Sequence, residues 1–248
     1  LVESPSPPMP ERFAIYYAPA VEHPLWMKAS QWLGRDPLSG AVIDGPLIGV
    51  SREMLFDRSV SARRYGFHAT IKAPMTLAAG KSRAELEDAL AAFAATIQPV
   101  AIGRLKLSLI DGFLALIPAH QTQELTDFAA VVVEQFEPFR TMPSAAERER
   151  RLKGGHLSAR QIELMDRFGY PYVFEEFQLH MTLTDRLPET EHEAYTHAAA
   201  THFGPLAEAE TMLDRLVLFH EPEPGAPFMR LGDFMLTGEI ANARIRAR

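Results

Sequence analysis

The sequence predicts an α+β fold. Three observations carry that reading. Apolar runs of strand length are interspersed with helical patterns, the two do not follow strict βαβ alternation, and Asp111-Gly112 marks a tight antiparallel hairpin. With 248 residues the chain can bury about three quarters of the surface its unfolded form exposes. Residues 13–238 are expected to form one domain, between a leader at 1–12 and a loose, basic tail at 239–248.

Each element has a local reason. The leader holds four prolines and almost nothing to bury. Residues 13–17 read as a strand, closed by Ala18-Pro19. Residues 24–33 read as a helix ended by Gly34, and 36–63 as irregular. A second strand spans 67–73. Ser82 and Glu85 form a capping box ahead of Leu86, Leu90, Phe93 and Ile97 at helical spacing. Strands at 104–110 and 113–117 flank the hairpin turn, and 122–137 is helical. Capping boxes at Ser144/Glu147 and Ser158/Gln161 open further helices, the second ended by Gly169. A strand at 178–184, a helix at 190–203 and strands at 213–220 and 228–236 complete about seven strands and five or six helices.

Composition narrows the function. A net charge of −7 is the wrong sign for gripping long nucleic acid through many phosphates. The absence of cysteine removes disulfides, Cys-ligated zinc, iron–sulfur clusters and thiol nucleophiles. No apolar run approaches the ~18 residues of a membrane span. The expectation is a cytoplasmic protein, its oligomeric state open with a monomer favoured, with a small phosphorylated partner, no membrane and no cofactor.

Nine histidines and the chain's Ser and Thr content predict about one chance His-x-Ser/Thr; there are four, at His68, His120, His156 and His180. Thr122 and Ser158 follow two of them at helix starts, where N-capping explains the hydroxyl. His68 and His180 instead sit in alternating strand patterns. His68, Thr70 and Lys72 fall on one face and His180, Thr182 and Thr184 on the other strand's equivalent face, each opposite an apolar side. Two imidazoles facing one cleft supply a general acid and a general base near neutral pH. Hydroxyls two residues along suit phosphate oxygens, and Lys72 suits developing negative charge. His180 as base with His68 as acid, or the reverse, are both open.

These motifs resemble those of the 2H phosphoesterase superfamily, which is named for two His-x-Thr/Ser motifs and includes the RNA ligase/cyclic phosphodiesterase-like proteins. The resemblance implies a bilobal α+β fold, with antiparallel sheets lining a central cleft and helices outside. It also implies His68 and His180 as the catalytic pair, Thr70 and Thr182 as phosphate binders, and no metal. The blocks at 12–19, 32–36, 64–74 and 169–184 are similar to those of a branch placed in phosphonate metabolism by gene neighbourhood, over roughly residues 12–236. The implied activity is metal-independent hydrolysis of a small cyclic phosphodiester, such as a sugar cyclic phosphate. An RNA-end 2′,3′-cyclic or 2′–5′ phosphodiesterase and a non-catalytic phosphate-ligand binder are the alternatives.

Around the pair, Tyr16, Tyr17, Arg64, Tyr65 and Thr184 are candidate pocket residues. Arg104 and Lys106 read as a solvated hairpin edge. His192 and His197 are spaced i, i+5, one residue too far for a zinc-protease helix. His202 reads as a charge at a helix C-terminus. No Walker loop or GxGxxG is present.

Overall fold

A computed structural model describes residues 10–45, 47, 49–153 and 157–238. The leader and tail expected at the two ends therefore lie almost wholly outside the described residues, as does His156. Eight strands form: β1 (Arg12–Tyr17), β2 (Ala69–Met75), β3 (Val100–Ile110), β4 (Phe113–Pro118), β5 (Met181–Arg186), β6 (Glu210–Leu213), β7 (Arg215–Glu221) and β8 (Met229–Met235). Eight helices accompany them: α1 (Pro24–Leu33), α2 (Arg52–Asp57), α3 (Val60–Tyr65), α4 (Arg83–Ala94), α5 (Gln123–Gln135), α6 (Ala145–Lys153), α7 (Ala159–Phe168) and α8 (His192–Phe203).

The strands make one sheet in the order β6-β3-β4-β5-β2-β1-β7-β8, every neighbouring pair antiparallel. Two four-stranded halves meet at β5 and β2, whose register is a single pair, Ala69 with Met181. The two lobes expected from the resemblance are thus halves of one continuous sheet, joined at a narrow seam. Among the described residues no helix is long and apolar enough to cross a membrane.

One face of the sheet carries the main core. Phe13, Ile15, Leu105, Leu116, Met181 and Leu218 pack there against helical residues such as Trp32, Leu90, Phe128 and Tyr195, all buried. On the opposite face Ala14, Tyr16, Val217, Phe219 and Phe228 form a smaller cluster. Strand β1 is therefore apolar on both sides, which explains its continuous Phe-Ala-Ile-Tyr-Tyr run. Trp32 Nε1 donates to the Leu183 carbonyl at 2.9 Å and pins α1 to β5, worth about 1 kcal/mol.

The local signals formed as the sequence indicates in several places. Ser82/Glu85 and Ser158/Gln161 are complete capping boxes, Thr122 caps α5, and Gly34 and Gly169 close α1 and α7 in the left-handed conformation. Helix α6 follows Ser144; the Glu147 side chain lies outside the described residues. Two expectations are corrected. Residues 36–63 contain α2 and α3, with the Ser51 hydroxyl capping α2 and the Asp185 carboxylate accepting from the Ser61 and Ala62 N–H groups at the start of α3. His202 is not a solvated terminal charge. Its Nε2 donates to the Lys28 carbonyl at 2.7 Å and its ring packs on Trp32, so burial lowers its pKa and favours the neutral form.

Candidate active site

The seam places the two histidines together. Each stands one residue before its strand, so β2 and β5 begin later than residues 67 and 178. Continuing the Ala69–Met181 register by one residue in each direction sets His68 opposite Thr182, and Thr70 opposite His180. Directly opposed side chains of an antiparallel pair stand about 4.5–5.5 Å apart at Cβ. Since Ala69 and Met181 point into the core, all four polar side chains share the other face.

They line a cleft of about 250 Å³, closed by Tyr16, Tyr65 and Tyr170. Both imidazoles are held the same way. His68 Nδ1 donates to the Gly66 carbonyl and His180 Nδ1 to the Gln178 carbonyl, each at 2.8 Å. A carbonyl can only accept, so each neutral ring carries its proton on Nδ1 and offers Nε2 as an acceptor. The Thr70 hydroxyl donates to His68 Nε2 at 3.2 Å.

The two rings differ in surroundings. His68 stacks on Tyr16 with centroids 3.7 Å apart and lies 6.1 Å from both Tyr65 and Phe219. The ring of His180 meets that of Phe113 at 5.8 Å. Burial pushes His68 down to about 4, the Gly66 carbonyl opposes this, and the neighbouring His180 adds to it. Burial raises the Tyr16 hydroxyl well above its ordinary value and Tyr170 to about 12, so both stay protonated donors.

His68 also makes stability depend on pH. Its ordinary value is 6.5, so between roughly pH 4 and 6.5 the unfolded chain binds the extra proton. Stability therefore rises with pH across that window and is lost on acidification, by up to ~1.4 kcal/mol per pH unit from this residue. Urea unfolding at pH 7 and pH 5 should show a larger acid loss in wild type than in His68→Phe. Equal losses would mean the ring is not held neutral.

Several candidates lie elsewhere. Lys72 does not share the His68 face. Ile15 pairs with Lys72 and Tyr16 with Thr70, so Ile71 is a bulge that reverses the alternation beyond it. Lys72 consequently enters the helical side, buried, where Nζ donates to the Val133 carbonyl at 3.0 Å and Glu137 Oε2 at 2.8 Å. Burial lowers its pKa, and the Glu137 bond partly offsets this. Thr184 is buried too. An irregularity in the β4–β5 register turns it away, and its hydroxyl accepts the Leu114 N–H at 2.9 Å. Asp185, which simple alternation would send inward, lines the cleft instead.

Arg64 is drawn off by Glu221. That carboxylate is fully buried and accepts from Arg64 Nη2, Arg12 Nε and the Gly225 N–H. Burial pushes Glu221 up, but these bonds outweigh it and hold its pKa below the ordinary value. Tyr17 faces the main core, on the opposite side of β1 from Tyr16. Arg104 and Lys106 are exposed, and Arg104 pairs with Glu210 across the β3–β6 edge.

Of the ten site candidates, His68, His180, Thr70, Thr182, Tyr16 and Tyr65 come together; Lys72, Arg64, Tyr17 and Thr184 do not. Among the described residues no Lys or Arg lines the cleft, and no group of three His, Asp or Glu is placed to hold a metal ion.

A family model described as "Protein of unknown function (DUF1045)" matches residues 70–229. The chain is 34% identical over 239 residues to "Ribose 1,5-bisphosphate phosphokinase PhnN" of Janthinobacterium sp. (strain Marseille), covering 94% of this chain and 52% of that protein. It spans about half the length of the curated relatives it matches. Among solved structures, TT0787 of Thermus thermophilus is similar with a TM-score of 0.44 and 14% identity, over 92% of this chain and 100% of that one. E. coli LigT complexed with 3′-AMP gives 0.40 and 14%, over 92% and 99%.

Proposed function

Because this chain belongs to the DUF1045 family, whose description assigns no activity, we propose from the cleft itself that it is a phosphoesterase hydrolysing a small cyclic phosphodiester. The observation that supports this best is the matched pair of imidazoles, each fixed through Nδ1 to the carbonyl two residues earlier. Each leaves Nε2 for chemistry, beside the hydroxyls of Thr70 and Thr182.

The more enclosed ring suits the base. His68 is neutral at pH 7, and its Nε2 takes a proton from water as the oxygen attacks phosphorus. His180 enters the step as the imidazolium and gives its Nε2 proton to the departing ring oxygen, and the product is a phosphomonoester carrying a free hydroxyl. Water restores the starting protonation of both rings. The Thr70 and Thr182 hydroxyls hold the non-bridging oxygens, and the imidazolium is the positive charge nearest the phosphorus. A diester carries one negative charge and fits a cleft that has, among the described residues, no Lys or Arg; a doubly charged monoester fits it less well. The phosphokinase name belongs to relatives twice this length, and this chain contains no Walker loop, so kinase activity is not part of the proposal.

The test is turnover, with EDTA present, of a panel containing ribose 1,2-cyclic and nucleoside 2′,3′-cyclic phosphates. Hydrolysis of at least one ring is expected, and the preferred ring names the substrate class. Tight binding without turnover would replace the enzyme reading with that of a phosphate-ligand binder. Steeply salt-dependent RNA affinity would favour an RNA-end activity.

A further inference from the structure

A second chamber of about 330 Å³ adjoins the cleft and shares Tyr170 and His180 with it. Its walls are aromatic. Tyr172 is 43% exposed, and its ring meets Tyr170 at 5.4 Å and 76°, forming a corner of two nearly perpendicular rings. Phe113 stands beyond His180. Two carboxylates complete the lining. Asp111 sits in the β3–β4 turn, and Glu176 Oε2 accepts from Gln161 Nε2 at 2.9 Å. Among the described residues no Lys or Arg lines this chamber.

We propose that this second chamber binds an ammonium group carried on one alcohol of the phosphodiester. Aromatic faces attract a cation through the ring quadrupole, and the carboxylates add attraction while offsetting repulsion from an imidazolium at the junction. An anionic substituent, a second phosphate included, meets two carboxylates here and, among the described residues, no Lys or Arg. The phosphate at the histidines and the cation at Tyr172 would then fix the substrate's direction across the seam. The inference rests on the phosphodiester reading of the first chamber.

Isothermal titration compares glycerophosphocholine, an open-chain diester with the same single negative charge on its phosphate as the cyclic substrate and no ring to be opened, with its carbon isostere, in which a 3,3-dimethylbutyl ester replaces choline. Wild type should bind the choline compound about tenfold more tightly. That ratio should shrink to about twofold in Tyr172→Ala and in Glu176→Gln, with folding of each variant checked by circular dichroism. Equal affinity for the two compounds in wild type would overturn the cation site. So would a preference that survives both substitutions, or binding of neither compound. The phosphoesterase activity is tested separately by the cyclic-phosphate panel, none of whose members carries an ammonium group.

Discussion

Replacing His68 or His180 by alanine is expected to lower kcat on the best cyclic phosphodiester by about 10²–10⁴, the usual range for losing a positioned proton-transfer group. The two should not add. Once either proton transfer is gone the other has little to assist, so the double variant should fall close to the worse single one. His68 also predicts the pH behaviour. In wild type, kcat/KM should hold on the acid side until His68 protonates near 4, and this limb should disappear in His68→Ala. Lys72→Met is the matching control. Its charge is buried on the far side of the sheet against Glu137, which keeps Arg140 as a partner, and the Val133 carbonyl, which loses its donor, so kcat should stay within about threefold of wild type while stability falls by about 1–3 kcal/mol. A Lys72→Met variant as inactive as His68→Ala would return that lysine to the chemistry. Full activity in both histidine variants would remove the acid–base mechanism altogether.

Which parts of this site were legible depended on how local their causes are. The His-x-Thr faces follow from the two-residue period of a strand, a property of each segment alone, and both formed. The helix caps at Ser82, Thr122 and Ser158 were readable for the same reason. The misplaced residues all depend on partners far along the chain. Lys72 is turned by a bulge that exists only in the pairing with β1, and Thr184 by an irregularity against β4. Arg64 is claimed by Glu221, 157 residues away. Tyr16 and Tyr17 are adjacent aromatics on a strand buried on both faces, so pattern alone could not say which one meets His68. Helices α2 and α3 are six residues each, too short to show a periodic face, and α3 takes its N-terminal carboxylate from Asp185. Asp185 and the Tyr170–Tyr172 corner reach the site only through that tertiary arrangement, although Tyr170 and Tyr172 do lie close before a motif strand in sequence.

Gly66 joins the fold to the chemistry, and its replacement should disturb both. Its backbone has φ +79° and ψ 174°, a combination nearly confined to glycine. A Cβ there would overlap Pro37 Cγ, a ring atom that cannot swing aside. The same residue closes α3 through its N–H to the Ala62 carbonyl, and its own carbonyl accepts His68 Nδ1–H. Gly66→Ala is therefore expected to cost about 1–3 kcal/mol from the backbone alone and more from the overlap. The folded fraction should also turn over more slowly, because relieving the clash shifts the acceptor that aims His68. Gly80→Ala separates the two effects. Gly80 has φ +78° with nothing within 4 Å of its added Cβ, so it should lose comparable backbone stability while keeping kcat. Urea unfolding gives the stability term, and kcat measured where each variant is fully folded gives the other. If Gly66→Ala kept wild-type kcat, the carbonyl would not be what orients His68. A marked loss of kcat in Gly66→Ala beside an unchanged kcat in Gly80→Ala would place the orienting constraint in the turn between α3 and β2, three residues before the strand that carries Thr70.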